Sequence, residues 1–171
     1  MNRRRFEELL VSCITEHKES TYRLAYSYVH NKEDALDIVQ EAIQKAFISL
    51  NTLHKPASMK SWYFRIVVTT ALDFLRKRSR VQPVDDEVLL TLGLESEDHY
   101  HNLDLEQALE KLPFKYKSVI MLRYFEDLKI EEIADILGEN VNTIKTRLYQ
   151  ALKLLRVKLK DDSMEEVRQH A

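Results

Sequence analysis

Little in this sequence supports a disulfide-bonded, β-rich or membrane-spanning protein. It contains one cysteine, two glycines and three prolines, so no intramolecular disulfide can form and turn-forming residues are scarce. No apolar run approaches the roughly 20 residues that a membrane-spanning helix needs. The amino terminus carries Arg3, Arg4 and Arg5, but Glu7 and Glu8 follow where a signal peptide needs an apolar segment. These absences predict a helical protein of the cytosol.

The composition is typical of a folded protein, with 44% hydrophobic and 32% charged residues in a chain of 171. This length suffices for one ordinary domain or two small ones. Cys13 lies in an apolar stripe without an activating base in the flanking sequence, so we expect a buried, unreactive thiol. The net charge of −2 argues against a nucleic-acid partner, but the distribution of the charges argues for one.

Apolar residues recur at helical spacing in two parts of the chain. Residues 1–80 and 104–160 are each predicted to form a small helical domain. Residues 161–171 are interpreted as an acidic, frayed tail, and 81–103 as a linker with weak periodicity and no lysine or arginine. The predicted fold class is therefore all-α, with two small helical domains joined by an acidic linker. The acids of the linker are Asp85, Asp86, Glu87, Glu95, Glu97 and Asp98.

A helix-turn-helix is the strongest signal in the chain. We expect a short helix over 130–137, a turn at Gly138, and a second helix capped by Asn140 that runs from Val141 to about Lys158. Its polar face has the bidentate donors and short polar groups that enter a major groove. A basic surface helix on a bundle is the alternative. The polar face comprises Asn142, Thr143, Lys145, Thr146, Arg147 and Gln150.

A second basic helix is predicted from Met59 to about Arg78. Its cations are interleaved with aromatic residues, a combination that suits unpaired bases on a phosphate backbone. Aromatic residues at helical spacing are more often part of a core, and we expect at least Phe64 and Phe74 to be buried. The helix before it carries an acidic stripe that is either solvated or docked on a basic protein partner. The stripe consists of Asp34, Asp37 and Glu41, with Gln40 beside them.

Taken together, these segments resemble the sigma-70 family, and specifically its minimal extracytoplasmic-function (ECF) group. The resemblance covers roughly residues 22–159, and its motifs occur in family order. The motifs are Asp34-Ala-Leu-Asp-Ile-Val-Gln-Glu41, Ser61-Trp-Tyr-Phe-Arg-Ile66 through Asp73-Phe-Leu-Arg76, Leu112-Pro113, and Glu132-Ile-Ala134 through Thr143-Ile-Lys-Thr-Arg147.

The resemblance implies a transcription initiation factor that binds core RNA polymerase, through its beta and beta-prime subunits, and directs it to promoters. It also implies an anti-sigma partner, often membrane-bound, that releases the factor on an envelope signal. The polymerase-docking residues would be Asp34, Asp37, Gln40 and Glu41. The −10 element would be read by Lys60, Trp62, Arg65, Thr69 and Arg76, and the −35 element by Asn142, Thr143, Lys145, Thr146, Arg147 and Gln150.

One position departs from the family pattern. The family commonly has asparagine seven residues after the tryptophan, and this chain has Thr69 there. A threonine hydroxyl can donate and accept hydrogen bonds, but it reaches less far than an amide. Thr69 therefore leaves the exact −10 sequence preference open.

Two other classes of function are weighed against this reading. A stand-alone DNA-binding regulator would use the helix-turn-helix alone, usually as a dimer on a palindrome, and would leave the acidic stripe without a role. An enzyme would need a nucleophile motif, a phosphate loop or a metal set. The close pair His99 and His101 has no obvious third ligand. We therefore expect no catalysis, cofactor, metal or small-molecule substrate.

Overall fold

The computed structural model describes residues 3–81 and 103–169, with side chains described for most of them. Over these two stretches the chain forms helices and turns and no strand, which confirms the all-α prediction. The predicted acidic linker lies outside the described residues, apart from Val81 and Leu103 at its ends. The helices are α1 (Arg3–Glu16), α2 (Lys18–Val29), α3 (Lys32–Ser49), α4 (Met59–Val81), α5 (Leu103–Glu110), α6 (Phe114–Ile120), α7 (Ile130–Leu137) and α8 (Val141–Gln169).

The first half is a bundle of α1 to α4. Asn31 caps the amino-terminal end of α3, because its side-chain oxygen accepts a hydrogen bond of 3.0 Å from the backbone N–H of Asp34. His30 occupies the left-handed region, with φ of 49°, and ends α2. Two 3-10 turns, Leu50–Thr52 and Pro56–Ser58, lead into α4. Cys13 is buried as predicted. The residues of this core with no exposed surface include Leu10, Ala25, Ala35, Ile38, Ala42, Ala46, Tyr63, Phe64, Val67 and Ala71.

The second half consists of α5 to α8, with a π-helical turn (Met121–Phe125) after α6. The last helix runs to Gln169, so the predicted end near Lys158 is wrong. No glycine or proline follows Gly138 to end the helix. Most residues after Lys158 are good helix formers. A small core joins α5, α6 and α8 through Ala108, Leu109, Leu112, Ile120, Ala151 and Leu155.

The two halves pack against each other. Helix α4 lies on α7, and α2 lies on α6. The rings of Tyr28 and Phe114 meet edge to face with centroids 4.0 Å apart, and the Ser118 hydroxyl donates to the Tyr28 hydroxyl at 3.5 Å. Buried residues of α7, among them Ile133 and Ile136, belong to the same hydrophobic cluster as the first bundle. The sequence predicted two domains but not this contact between them.

Candidate nucleic-acid interface

The helix-turn-helix is formed by α7 and α8 as the sequence predicted. Gly138 ends α7 with φ of 67°, a conformation that costs glycine little. The next N–H, that of Glu139, donates to the Ala134 carbonyl at 3.0 Å and closes the turn. Asn140 then caps α8, accepting from the Thr143 N–H at 2.8 Å. The relative direction of the two helices is therefore fixed by backbone hydrogen bonds as well as by packing.

Burial divides α8 into the two faces that the sequence predicted. Ile144 has no exposed surface, and Leu148 packs against the core. The predicted polar face points away from them. On it, Asn142, Lys145, Thr146 and Gln150 are exposed, and Thr143 and Arg147 are partly buried.

Three of the predicted −35 residues are held by other side chains. The Thr143 hydroxyl donates to the Asn140 side-chain oxygen at 3.1 Å. The Tyr116 hydroxyl donates to the Gln150 side-chain oxygen at 2.8 Å. An Arg147 Nη2 donates to Glu139 Oε1, also at 2.8 Å, in a charge-assisted bond. The face is therefore partly ordered before any DNA arrives.

Sequence reasoning missed several residues at this face. Neither Tyr116 nor Glu139 was singled out, because the partners that they hold lie 34 and 8 residues away in the chain. Tyr149 was also missed, although it is 71% exposed beside the predicted readers. Its position, three residues after Thr146, was the available signal.

The predicted −10 residues divide into two groups on α4. The first group follows helical spacing along one side of α4 and consists of Trp62, Arg65, Thr69 and Arg76. The last three of these side chains are exposed. The Trp62 indole N–H donates to the Thr52 hydroxyl at 3.3 Å. That stripe therefore forms one surface, with the indole at its amino-terminal end.

Lys60 lies apart from that stripe, because residues two positions apart on a helix point to nearly opposite sides. Its ammonium donates to the backbone carbonyl of Glu126, across the contact between the two halves. Glu126 is only 7% exposed, and its carboxylate lies 3.9 Å from His17 Nδ1. The structure therefore places this predicted −10 residue in the interdomain contact.

Two of the four aromatic side chains of α4 are buried in the core and cannot stack on bases in this conformation. Tyr63 and Phe64 have no exposed surface, and Phe74 is partly buried against the same cluster. The expected burial is thus complete for Phe64 and partial for Phe74. Burial also raises the pKa of the Tyr63 hydroxyl to about 12, so this phenol is neutral at physiological pH. Trp62 is the aromatic residue among the predicted −10 residues, and its side chain is partly exposed.

The acidic stripe of α3 lies on one side of that helix. Asp37 and Gln40 are exposed, whereas Asp34 and Glu41 are partly buried. Asp34 pairs with Arg78 of α4 at 3.4 Å, and Glu41 pairs with Lys45 at 2.9 Å. Asp37 makes no ion pair with any residue that the structure describes. Large apolar side chains are exposed on the same helix, namely Leu36, Phe47 and Ile48.

Two basic groups are desolvated where α2 meets α6. Burial lowers the pKa of Lys117 from its ordinary value, and this side chain is 7% exposed. Burial also lowers the pKa of His30 to about 4, and the positive charge of Lys117 contributes to that shift. His30 is therefore neutral at physiological pH. Neither group lies on the predicted DNA-binding faces.

Within residues 3–81 and 103–169, no cluster of three or more metal-ligating side chains is found. The pair His99 and His101 lies outside the described residues. No helix in the described part of the chain is both long and apolar enough to cross a membrane.

Comparison with known proteins gives two family matches in the order that the sequence predicted. Residues 13–81 match the sigma-70 region 2 family and residues 102–155 match the sigma-70 region 4 family. The chain is 56% identical over 156 residues to the RNA polymerase sigma factor SigV of Bacillus subtilis, covering 91% of this chain and 94% of the relative. It is 31% identical over 170 residues to the ECF RNA polymerase sigma factor SigW of the same organism, covering 91% of each.

Solved structures show the same architecture. The sigma factor RpoE of Bartonella quintana, in complex with the anti-sigma factor NepR, aligns with a TM-score of 0.72 and 26% identity. That alignment covers 91% of this chain and 96% of the other. CnrH, in complex with the cytosolic domain of CnrY, aligns with a TM-score of 0.63 over 94% of this chain and 91% of the other. Its identity of 23% supports the fold alone.

Proposed function

The chain belongs to the ECF group of the sigma-70 family, and from this membership we propose how its surfaces work. The protein binds core RNA polymerase and directs it to promoters that carry a −10 and a −35 element. This function rests on one observation: both sigma regions are present in one chain, in family order. A stand-alone regulator of the helix-turn-helix type would not need the first region.

We assign polymerase docking and −10 recognition to residues 1–80, and −35 recognition to residues 104–160. The acidic segment 81–103 connects them. The two family matches end and begin close to these limits, at residues 81 and 102, which supports the division. A polyanionic connection suits a channel built for nucleic acid and repels stray DNA from the free protein.

The exposed polar face of α8 is assigned to the −35 element. Lys145, Thr146 and Gln150 point away from the hydrophobic core, near the amino-terminal end of the helix that enters a major groove in this motif. A good bidentate contact to one base edge contributes roughly 1–3 kcal/mol of discrimination. Lys153 and Arg156 continue the exposed surface toward the carboxyl end and suit phosphate contacts.

The stripe on α4 is assigned to the opened −10 element. Arg65 and Arg76 supply charge for the backbone of the separated strand. Trp62 lies at one end of the stripe, where an indole can act as a wedge at the edge of the opened bases. Lys60 lies on the other side of α4 and is bonded to Glu126, so its ammonium can contact promoter DNA only after that bond breaks.

The acidic stripe of α3 is assigned to core polymerase. Asp37 and Gln40 offer an exposed polar surface, and the exposed apolar residues Leu36 and Ile48 lie on the same helix. Complementary charge on the partner would set orientation and association rate. The ion pairs of Asp34 and Glu41 keep those two carboxylates oriented in the free protein.

Control by an anti-sigma factor is part of the proposal. The RpoE relative was solved with such a partner, NepR, and we infer that this chain has one of its own. We also propose that the partner is membrane-bound and responds to envelope stress, as is common for ECF factors. The sigma factor itself would act in the cytoplasm, because the polymerase that it joins works there.

A mobility-shift experiment tests this function against the regulator alternative. A labelled promoter duplex would be mixed with the protein, with core polymerase, and with both. The sigma function predicts a sequence-specific, heparin-resistant complex only in the third mixture. Tight binding of the protein alone to a palindromic duplex, with no change on adding core polymerase, would support the regulator.

A further inference from the structure

Glu139 is an acidic residue in a place where acid opposes binding to DNA. It lies in the turn between α7 and α8, two residues before the recognition helix begins. Its side chain is 37% exposed. A negative charge at this edge repels the phosphates that the rest of the basic helix attracts. Because this charge weakens binding to DNA, a role for Glu139 must be something other than affinity for DNA.

The one described partner of this carboxylate is the side chain of Arg147. The distance from Glu139 Oε1 to Arg147 Nη2 is 2.8 Å, and the Arg147 side chain is 24% exposed. The Glu139 backbone is itself fixed, because its N–H donates to the Ala134 carbonyl at 3.0 Å. The guanidinium is thus bound to a side chain whose backbone is held in the turn.

A guanidinium carries five N–H donors in a planar fork, and one carboxylate oxygen engages only part of them. The remaining donors stay available for the acceptors of a base edge. A free arginine would instead sample many rotamers and bind any nearby phosphate. Fixing the side chain therefore favours discrimination over general attraction to DNA.

We propose that Glu139 is a positioning residue for −35 recognition, which holds the Arg147 guanidinium toward the base edges and away from the phosphate backbone. This inference rests on the proposed function, in which Arg147 reads the −35 element. It assigns specificity to a residue that would itself make no base contact.

The test uses the full-length protein with core polymerase on a promoter library randomised across the −35 element. Run-off transcripts from the wild type, Glu139→Gln, Arg147→Ala and the double variant are sequenced and compared. We expect Glu139→Gln to lower discrimination about five- to tenfold, the lower part of the range that one good bidentate contact supplies. Transcription from poor −35 sequences should stay level or rise, because a repulsive charge has been removed.

Two controls separate positioning from folding. Glu131→Gln removes another exposed acid from the same helix-turn-helix and should leave discrimination unchanged. Glu139→Asp keeps the charge but shortens the side chain by one methylene, and should give an intermediate loss. A merely structural role for Glu139 would instead lower the thermal midpoint and reduce transcription from all promoters alike, and that result would overturn the proposal.

Together with the single variants, the double variant separates an error in the role of Glu139 from an error in the −35 assignment of Arg147. If Glu139 acts through Arg147, adding Glu139→Gln to Arg147→Ala causes no further loss of discrimination. If Arg147→Ala lowers discrimination and Glu139→Gln does not, the positioning role is wrong and −35 reading by Arg147 stands. If Arg147→Ala leaves discrimination unchanged, the −35 assignment of Arg147 is wrong, and the positioning role falls with it.

Discussion

The Lys60 ammonium donates a hydrogen bond to the backbone carbonyl of Glu126, a residue 66 positions later in the chain. This bond links α4, the proposed −10 helix, to the segment just before the helix-turn-helix. It engages a lysine that the sequence assigned to the −10 element. The structure is therefore a closed form in which the two halves contact each other.

The first prediction is that the closed form opens when core polymerase binds. Fluorophores on Lys18→Cys and Lys153→Cys, both at exposed positions, report the distance between the halves by energy transfer. Cys13 is buried and its pKa is raised to about 11, so it should react little with maleimide at neutral pH. Transfer should be efficient in the free protein and should fall on addition of core polymerase.

Phe114→Ala should shift the same measurement in the free protein, because it removes the edge-to-face contact with Tyr28. Such aromatic pairs contribute about 0.5–1.5 kcal/mol beyond the area that they bury. Phe125→Ala is the matched control, since that ring is 52% exposed. Equal energy transfer with and without polymerase would contradict the opening step.

The second prediction concerns polymerase docking. Asp37→Lys reverses an exposed charge on α3 and should weaken binding to core polymerase about tenfold or more, given that like-charge contacts at an interface cost several kcal/mol. The fold should not change, because this carboxylate has no ion pair among the described residues. Competition with a labelled sigma factor for core polymerase measures the loss.

Glu8→Lys is the control for docking, since it reverses an exposed acid on α1 instead. The docking assignment requires that it leave competition for core polymerase unchanged. Equal effects of the two substitutions would mean that α3 has no special part in binding.

The third prediction concerns −10 preference. The Thr69 hydroxyl donates to the Arg65 carbonyl at 2.8 Å, which keeps its oxygen close to the helix. Thr69→Asn extends the polar group outward and should change the preferred −10 bases in run-off transcription from a library randomised there. Thr15 makes the same bond to Val11 on α1, so Thr15→Asn is a matched control. An unchanged −10 preference in Thr69→Asn would remove Thr69 from the site.

The fourth prediction is a loss of stability in acid that depends on His30. Its pKa is about 4 in the folded protein against an ordinary 6.5, so between these values the unfolded chain binds a proton that the folded chain does not. The free energy of unfolding should therefore fall as pH drops from about 6.5 toward 4. His30→Asn keeps a residue suited to the positive φ and should flatten this dependence in chemical denaturation. A pH profile unchanged by the substitution would exclude His30.

Local sequence signals predicted the helix-turn-helix well. Gly138 and Asn140 mark a helix end and a helix start by their own backbone and side-chain chemistry, and both lie where expected. The buried face of α8 followed from spacing alone, through Ile144. By contrast, Ile136 was not singled out from the sequence, and it is buried because α7 packs on α4 as well as on α8.

Contacts between distant residues were beyond sequence reasoning. The bond from Lys60 to Glu126 depends on how the two halves meet, and no local pattern encodes that meeting. The same limit applies to Tyr116 and Gln150, which lie on different helices. The acidic residues of α3 and the basic residues of α4 were recognised from the sequence as patterns of charge. The ion pair between Asp34 and Arg78 could be identified only from the structure.

The most direct test of the central claim is run-off transcription from a promoter library, using purified core polymerase with and without the protein. The proposed function predicts transcripts that appear only when the protein is present, from promoters that share two elements at a fixed spacing. Transcripts that are the same with and without the protein would contradict it.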